Sequence, residues 1–322
     1  MIFNPRCTPS LTSTPVPAVL VLLLAASLAA CQSSGDEPAS ESGPPVVEVT
    51  MMDYAFQAPD TIRSGWTTLE MANEGSEHHL FALLSLPTGK TIGDLQAAVY
   101  APFDTIRSQL HEGAIDSTTY RKRLKKLAPS IPEWYTDKTD LMGGVGLTAP
   151  GRTARTTLNL EPGTYVMECY AKTADRRIHA LCGMIRSLIV TRDSTNASPP
   201  TPDLTVTLSK LQIQADSVVS PGTSNVAVRF GEKQKGGIHG HRLQHLSLSR
   251  LEGDTSPQDL AQWMEWDPVM PAPVPFLGGV GDMPTGRTAY VQVDLTPGRY
   301  AWVLSNPPEQ GAVRPFTVER SQ

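Results

Sequence analysis

The residues with the most chemistry to offer sit in two places far apart in the chain. Asn73-Glu74-Gly75-Ser76-Glu77-His78 leads into a second histidine, His79, and an apolar run that ends at Leu86. Much later, Pro162-Gly163-Thr164-Tyr165-Val166-Met167-Glu168-Cys169 ends another apolar run; His179 follows ten residues on, and Met184 five after that. Imidazole, thiolate and thioether are the donors that soft and borderline transition metals prefer. The sulfur has a rival use. The chain has 4 cysteines, Cys7, Cys31, Cys169 and Cys182, and in an oxidising compartment Cys169 and Cys182 could instead close a disulfide.

Donors so far apart act together only if strands bring them together. With 28 prolines, 25 glycines and 6% aromatics, the chain suits many short elements joined by turns. Thr156-Thr157-Leu158-Asn159-Leu160 alternates, passes a Pro-Gly turn and enters the apolar strand Tyr165–Tyr170. His79–Leu86 is apolar on both faces, as a strand covered on each side requires. Leu246-Ser247-Leu248-Ser249 alternates cleanly, which predicts one wetter face. Residues 92–127 break the pattern: DLQAAV, DTIRSQL and TTYRKRLKKL have helical spacing, with Ser117 or Asp116 placed to cap the last segment. Its basic run, Arg121–Lys126, reads as a solvated helix face, with an acidic partner or anionic headgroups as the alternative.

The chain also repeats itself. GGVGLTAPGRTARTTLNLEPGTY (Gly143–Tyr165) and GGVGDMPTGRTAYVQVDLTPGRY (Gly278–Tyr300) are identical at 12 of 23 positions without a gap. Val49-Thr50, Phe56-Gln57-Ala58 and Gly65 likewise match Val206-Thr207, Ile213-Gln214-Ala215 and Gly222. The predicted organisation is residues 1–30 as a signal segment, 31–45 as a tether, domains over 46–192 and 203–320, and a linker over 193–202. The second domain carries only a short counterpart of the helical insertion, Pro257–Trp266. The predicted fold class is all-β: two tandem Greek-key sandwiches, the first with the insertion.

The pattern in 46–192 resembles the cupredoxins, or blue copper proteins: an Asn-x-Gly loop ending in histidine, a strand ending in cysteine, then His-x4-Met. The gap between Cys169 and His179 is longer than in plastocyanin-like members and close to that of copper nitrite reductases; the helical insertion is a departure. The resemblance implies one type-1-like copper, with His78 and His179 as imidazole ligands, Cys169 as thiolate and Met184 as weak axial ligand. His79 competes with His78, since strand alternation lets only one of the two face the site. Ala180, Leu181 and Ile185 would form the apolar patch through which electrons pass. Two alternatives stay open: the Cys169–Cys182 bridge, and a relic site whose histidines and methionine only pack. In the second domain Leu304 stands where Cys169 stands in the first. There His239, His241 and His245 share one parity, but in a glycine-rich loop they read as incidental.

The N-terminus sets the expected compartment. Arg6 precedes an apolar run, Val16–Ala30, too short for a comfortable membrane span, and Leu28-Ala29-Ala30-Cys31 resembles a bacterial lipobox. That implies lipidation of Cys31, and Gln32 in the next position favours an outer-membrane anchor facing the periplasm. A formal net charge of −5 argues against nucleic acid. The expected function is electron transfer or copper handling with a redox or copper-exchange protein as partner; the alternative is a metal-free scaffold binding a protein or glycan. Enzymatic activity is not expected, because Cys169 is flanked by Glu168 and Tyr170 rather than histidines and the chain's His-x-His is confined to His239-Gly240-His241.

Overall fold

Alternating segments with turn residues between them become strands, and the two repeats produce matching sets. The structure is a computed structural model that describes residues 43–235, 239, 243–264, 270–305 and 312–320. The signal segment with Cys31, most of the tether, His241 and Trp266 lie outside the described residues. The first repeat forms β1 (Val46–Met52), β2 (Ala55–Gln57), β3 (Thr61–Asn73), β4 (His79–Ser85), β5 (Asp140–Thr148), β6 (Thr153–Leu160), β7 (Gly163–Glu168) and β8 (Ile185–Ser194). The second forms β9 (Leu204–Ser209), β10 (Gln212–Gln214), β11 (Val218–Val219), β12 (Gly222–Phe230), β13 (Leu246–Arg250), β14 (Phe276–Val280), β15 (Thr288–Leu295), β16 (Gly298–Leu304) and β17 (Val313–Val318).

Each repeat is a Greek-key sandwich, and the two are fused edge to edge in both layers. One layer runs β2-β1-β3-β6-β15-β12-β9-β10. The other runs β8-β7-β4-β5-β14-β13-β16-β17, with the start of β3 beside β8 and β11 beside β17. The order reads the same from either end, as a duplicated unit joined across a local dyad requires. The junctions are β6 with β15, through pairs such as Tyr290 and Thr157, and β5 with β14, through Leu277 and Thr148.

This junction accounts for the repeated Gly-Gly-Val-Gly. Across it, a Cβ on Gly146 would lie 2.7 Å from the Gly279 Cα, and one on Gly281 would lie 2.4 Å from the Gly143 carbonyl oxygen. Inside each repeat, a Cβ on Gly144 would lie 2.0 Å from the Phe81 carbonyl oxygen, and one on Gly279 would lie 2.0 Å from that of Leu246. Both residues have positive φ, 122° and 140°, so each motif lets neighbouring backbones close in where any side chain would collide. The buried Thr156 hydroxyl donates to the Gly279 carbonyl across the junction at 2.7 Å. The repeated Pro-Gly-x-Tyr is also explained: the Tyr165 hydroxyl donates to the Glu161 carbonyl, and Tyr300 to that of Thr296, each at 2.8 Å.

The predicted helical insertion is present and longer than expected. It comprises α1 (Ile92–Leu95), a π-helical stretch Gln96–Tyr100, α2 (Ala101–His111), α3 (Ser117–Leu127), a 3-10 turn Ala128–Ser130 and α4 (Glu133–Thr136). Asp116 is the cap of α3, accepting from the Thr119 amide. The insertion closes a second core over the outer face of β4 and β7, where Leu95, Val99, Tyr100, Ile131 and Tyr135 pack on Ala82, Leu84 and Val166. The main core holds the alternate residues Phe81, Leu83, Tyr165 and Met167. Two-sided cover of β4 is therefore as expected. The wetter face predicted for Leu246–Ser249 is not found: all four residues are buried, the Ser249 hydroxyl donates to the Ala301 carbonyl, and the Ser247 hydroxyl accepts from the Leu147 amide. Buried serines satisfied in this way mimic an exposed face in sequence. The short counterpart of the insertion is α6 (Pro257–Met264), preceded by α5 (His179–Cys182) in the first repeat.

The second core contains one costly group. Glu168 is 5% exposed, and burial pushes its carboxyl up to about 8. Between the ordinary carboxylate range near 4.5 and that value, the folded chain holds a proton that the unfolded chain has released, so stability falls as pH rises through this window and levels off above it. Glu168→Gln removes the ionisation cost. We expect it to stabilise the fold at pH 8 by on the order of a few kcal/mol relative to its effect at pH 5, measured by denaturant unfolding at both values. An effect independent of pH would refute this account of Glu168.

Candidate metal centre

Strand register selects the first histidine. Leu83 pairs with Met167 on β4 and β7, and both face the main core, so the odd-numbered residues of these strands share the inward face. Cys169, just past β7, continues that parity, and so does His79; His78 does not. The structure accordingly brings together His79, Cys169 and His179, whose ligand atoms all lie within 4.8 Å of one another. His78 instead sets its ring edge against Phe276, with centroids 5.9 Å apart, and hydrogen-bonds the Val274 backbone. Burial first, and the neighbouring His79 second, push its imidazole down to about 4. The choice of His78 is thus corrected to His79 as the member of the cluster.

The loop before β4 is braced by Asn73. Its side-chain amide donates to the Glu77 and Thr148 carbonyls, while its oxygen accepts from the Gly75 amide. This brace draws Glu77 and His79 inward and brings Gly75 against the turn after β1. A Cβ at Gly75 would lie 2.4 Å from Asp53 Oδ1 and 2.8 Å from His79 Nε2, so glycine is needed for those two to meet. They do meet, at 2.9 Å. Asp53 also accepts from the Ser76 amide and hydroxyl and the Glu77 amide. Burial works against its ionisation, but the His79 and Ser76 hydrogen bonds hold it well below the usual carboxylate range.

The ends of the second loop are joined by backbone bonds. The Cys169 amide donates to the Met184 carbonyl, the Ala180 amide to Cys169, the His179 amide to Ala171 and the Met184 amide to His179. A short helix, α5, thereby folds His179 back beside Cys169. Gly183, at φ 125°, makes the exit turn; a Cβ there would lie 2.6 Å from the Tyr54 carbonyl oxygen. Tyr54 in turn sets its ring edge against His179 at 5.5 Å.

The resulting geometry presents both imidazoles the same way round. His79 Nδ1 lies 3.2 Å from His179 Nδ1, and His179 Nδ1 lies 3.5 Å from Cys169 Sγ. The other ring nitrogens face carboxylates: His79 Nε2 faces Asp53, and His179 Nε2 lies 3.0 Å from Glu77 Oε2, an ion-pair distance without hydrogen-bond alignment. If each Nε2 carries the proton that its carboxylate favours, both Nδ1 lone pairs point at each other and at the sulfur. Such a convergence calls for a cation. Burial opposes charge on His79, yet the Asp53 bond and the Cys169 sulfur raise its pKa. The donor spacing also fits a metal. Bonds of about 2.0 Å to nitrogen and about 2.3 Å to sulfur in a three-fold plane would set donors roughly 3.5–3.7 Å apart.

His79, Cys169, His179 and Met184 are all fully buried. Cys169 is a free thiol, which removes the alternative of a Cys169–Cys182 bridge. Met184 lies in the main core with Cys169, its backbone bonded to both Cys169 and His179. The apolar patch expected around His179 is partly covered: Ala180 is buried, and Leu181 and Ile185 pack against the second core. Asp53 and Glu77 escaped sequence analysis; an aspartate in a hairpin turn and one glutamate among several carry no signal until the loops are folded.

In the second repeat the same register places Gln244 where His79 stands and Leu304 where Cys169 stands. Gln244 is buried and its amide donates to Asp282, which pairs with Lys233 at 2.7 Å in the interior. His239 and His245 rest against the first repeat, their rings 4.7 Å from Tyr135 and 4.8 Å from Tyr170. Among the described residues, His79-Cys169-His179 is the cluster able to hold an ion.

No protein-family model matches the chain. No curated protein matches it either. Solved structures do. Auracyanin A, a "blue" copper protein from the green thermophilic photosynthetic bacterium Chloroflexus aurantiacus, is 17% identical over 46% of this chain and 99% of that one, with a TM-score of 0.27. Blue copper oxidase from Nitrosomonas europaea is 14% identical over 86% of each chain, with a TM-score of 0.23. Copper nitrite reductase from the same organism is 11% identical over 86% of this chain and 94% of that one, also at 0.23. The latter two are enzymes, and the expectation that this chain is not an enzyme is corrected on that finding. The fold is cupredoxin-like, all-β, and extends over both repeats.

Proposed function

We propose that the chain binds one copper ion, which His79 Nδ1, Cys169 Sγ and His179 Nδ1 would hold with the Met184 thioether as a further weak donor, and serves single-electron transfer in a bacterial envelope. The observation that carries this reading is the convergence of two imidazole nitrogens and a free thiol in a dry interior, each ring backed by a carboxylate. A bound copper would supply a one-electron couple that this ligand set tolerates in both oxidation states. The chain's own residues supply the rest. Asp53 and Glu77 fix the ring planes and favour the tautomer that leaves Nδ1 free. Asn73 and Gly183 hold the two loops in place, so the donors need not move when charge changes. Full burial of all four side chains favours electron transfer over copper delivery, which needs donors that a partner can reach. Leu181 and Ile185 are the partly exposed apolar residues nearest His179 in the chain and offer a docking point for a redox protein. The lipobox-like Leu28-Ala29-Ala30-Cys31, with Gln32 after it, supports an outer-membrane lipid anchor at Cys31 on the periplasmic side.

Copper(II) added to the purified chain should give an intense blue thiolate-to-copper band that Cys169→Ala abolishes. Persistence of the band in that variant would end the proposal. The two histidines separate cleanly: His79→Ala should weaken copper binding by at least about 100-fold in a competitive chelator titration, while His78→Ala leaves it within a few-fold. The reverse order would return the assignment to His78. Asp53→Asn should cost roughly 10–100-fold in affinity with the blue band retained, as loss of a carboxylate behind a ligand ring does.

A further inference from the structure

A second candidate binding site lies where the helical insertion meets the loop between Cys169 and His179. These elements enclose a pocket of about 170 Å³. Arg107 and Leu110 come from α2, Ser117, Tyr120 and Arg121 from α3, and Lys172 and Arg176 from the loop. Four cationic side chains and two hydroxyls therefore line one small cavity, and among the described residues no carboxylate does. Two acids lie close to lining or loop residues: Asp104, beside Arg107 and Arg177, and Asp175, which accepts from the Thr173 hydroxyl.

Three features set this apart from the solvated helix face that the basic run suggests in sequence. The cations come from three separate elements, so the tertiary fold gathers them. Lys172 is 3% exposed, beyond the reach of bulk water. Arg176, finally, sits at φ 65°, in the left-handed region that a side-chain-bearing residue occupies only at a cost.

The donor chemistry selects the ligand. Guanidinium forks and hydroxyls match the several oxygens of a tetrahedral oxyanion better than the single oxygen pair of a carboxylate. The volume admits a phosphate group with a few waters, each taking about 30 Å³, and excludes a whole nucleotide. We propose that this pocket binds the phosphate group of a free phosphate or of a lipid headgroup, and so ties the helical insertion to the Cys169–His179 loop. The inference stands apart from the copper reading, because every group it uses lies outside the ligand set.

Calorimetry on the purified full-length protein tests it, in a phosphate-free buffer at low salt. Inorganic phosphate and monomeric dihexanoyl phosphatidic acid are titrated in separate arms. The proposal expects saturable one-to-one binding in at least one arm, weakened about tenfold or more by Arg121→Gln and by Arg176→Gln, and unmoved by Lys125→Ala elsewhere on α3. Tighter binding of phosphate identifies a free anion as the source; tighter binding of the lipid identifies a headgroup. Both substituted arginines are exposed, so the fold should persist. As a second measurement, phosphate should raise the wild-type melting temperature more than chloride at equal ionic strength. No saturable heat in either arm, or binding that both arginine variants retain, overturns the proposal.

Discussion

Two imidazole nitrogens held 3.2 Å apart beside a buried thiol are the constraint on which the rest of the first repeat turns. Lone pairs converging in a dry interior repel and cannot satisfy one another, so such a cluster persists only if other groups hold it. Asp53 and Glu77 are those groups. They are 14% and 23% exposed; Asp53 hydrogen-bonds His79 Nε2, and Glu77 sets a carboxylate at ion-pair distance from His179 Nε2. The Asn73 brace and the close approach at Gly75 bring the carboxylates into position. The loop that sequence reading marks through its Asn-x-Gly therefore works as a clamp on both rings and presents a ligand as one part of that task.

Duplication explains the frame around this centre. The motifs that survived in both halves, Gly-Gly-Val-Gly and Pro-Gly-x-Tyr, are the positions where backbones touch across the junction or where a tyrosine hydroxyl closes a turn. They serve the fold, so both halves keep them. The chemistry followed a different course in each. In the second repeat Gln244 and Leu304 occupy the places of His79 and Cys169, and a buried Lys233–Asp282 pair stands close by. Because both layers run continuously through the junction, the second repeat forms an outer wall for the first. Phe276 covers His78, His245 covers Tyr170 and His239 covers Tyr135.

The helical insertion plays an analogous part on the opposite face of β4 and β7. It turns a strand face that would be wet in a bare sandwich into a second core, and in doing so buries Glu168 next to the cysteine in sequence. It also leaves a cationic pocket against the Cys169–His179 loop. Two different environments thus meet along one short loop: a buried interior holding the soft donors and their carboxylates, and a recess lined by arginine and lysine.

The sequence by itself determined the element types and the duplication, because periodicity, turn residues and internal repetition are local properties; a family resemblance pointed to Cys169 and His179 but left the disulfide and the relic site open. It also marked the helical insertion and narrowed the cap of α3 to Ser117 or Asp116, between which the structure chose Asp116. Register decided the choice between His78 and His79: a shift of one residue reverses the face of a strand, and the pairing partner that fixes the shift lies far away in the chain. Burial of the serines in β13, the reduced state of Cys169, the joining of both repeats into continuous sheets, and the roles of Asp53 and Glu77 were likewise settled by tertiary packing. Each depends on which distant backbone comes to lie alongside, and no local pattern encodes that.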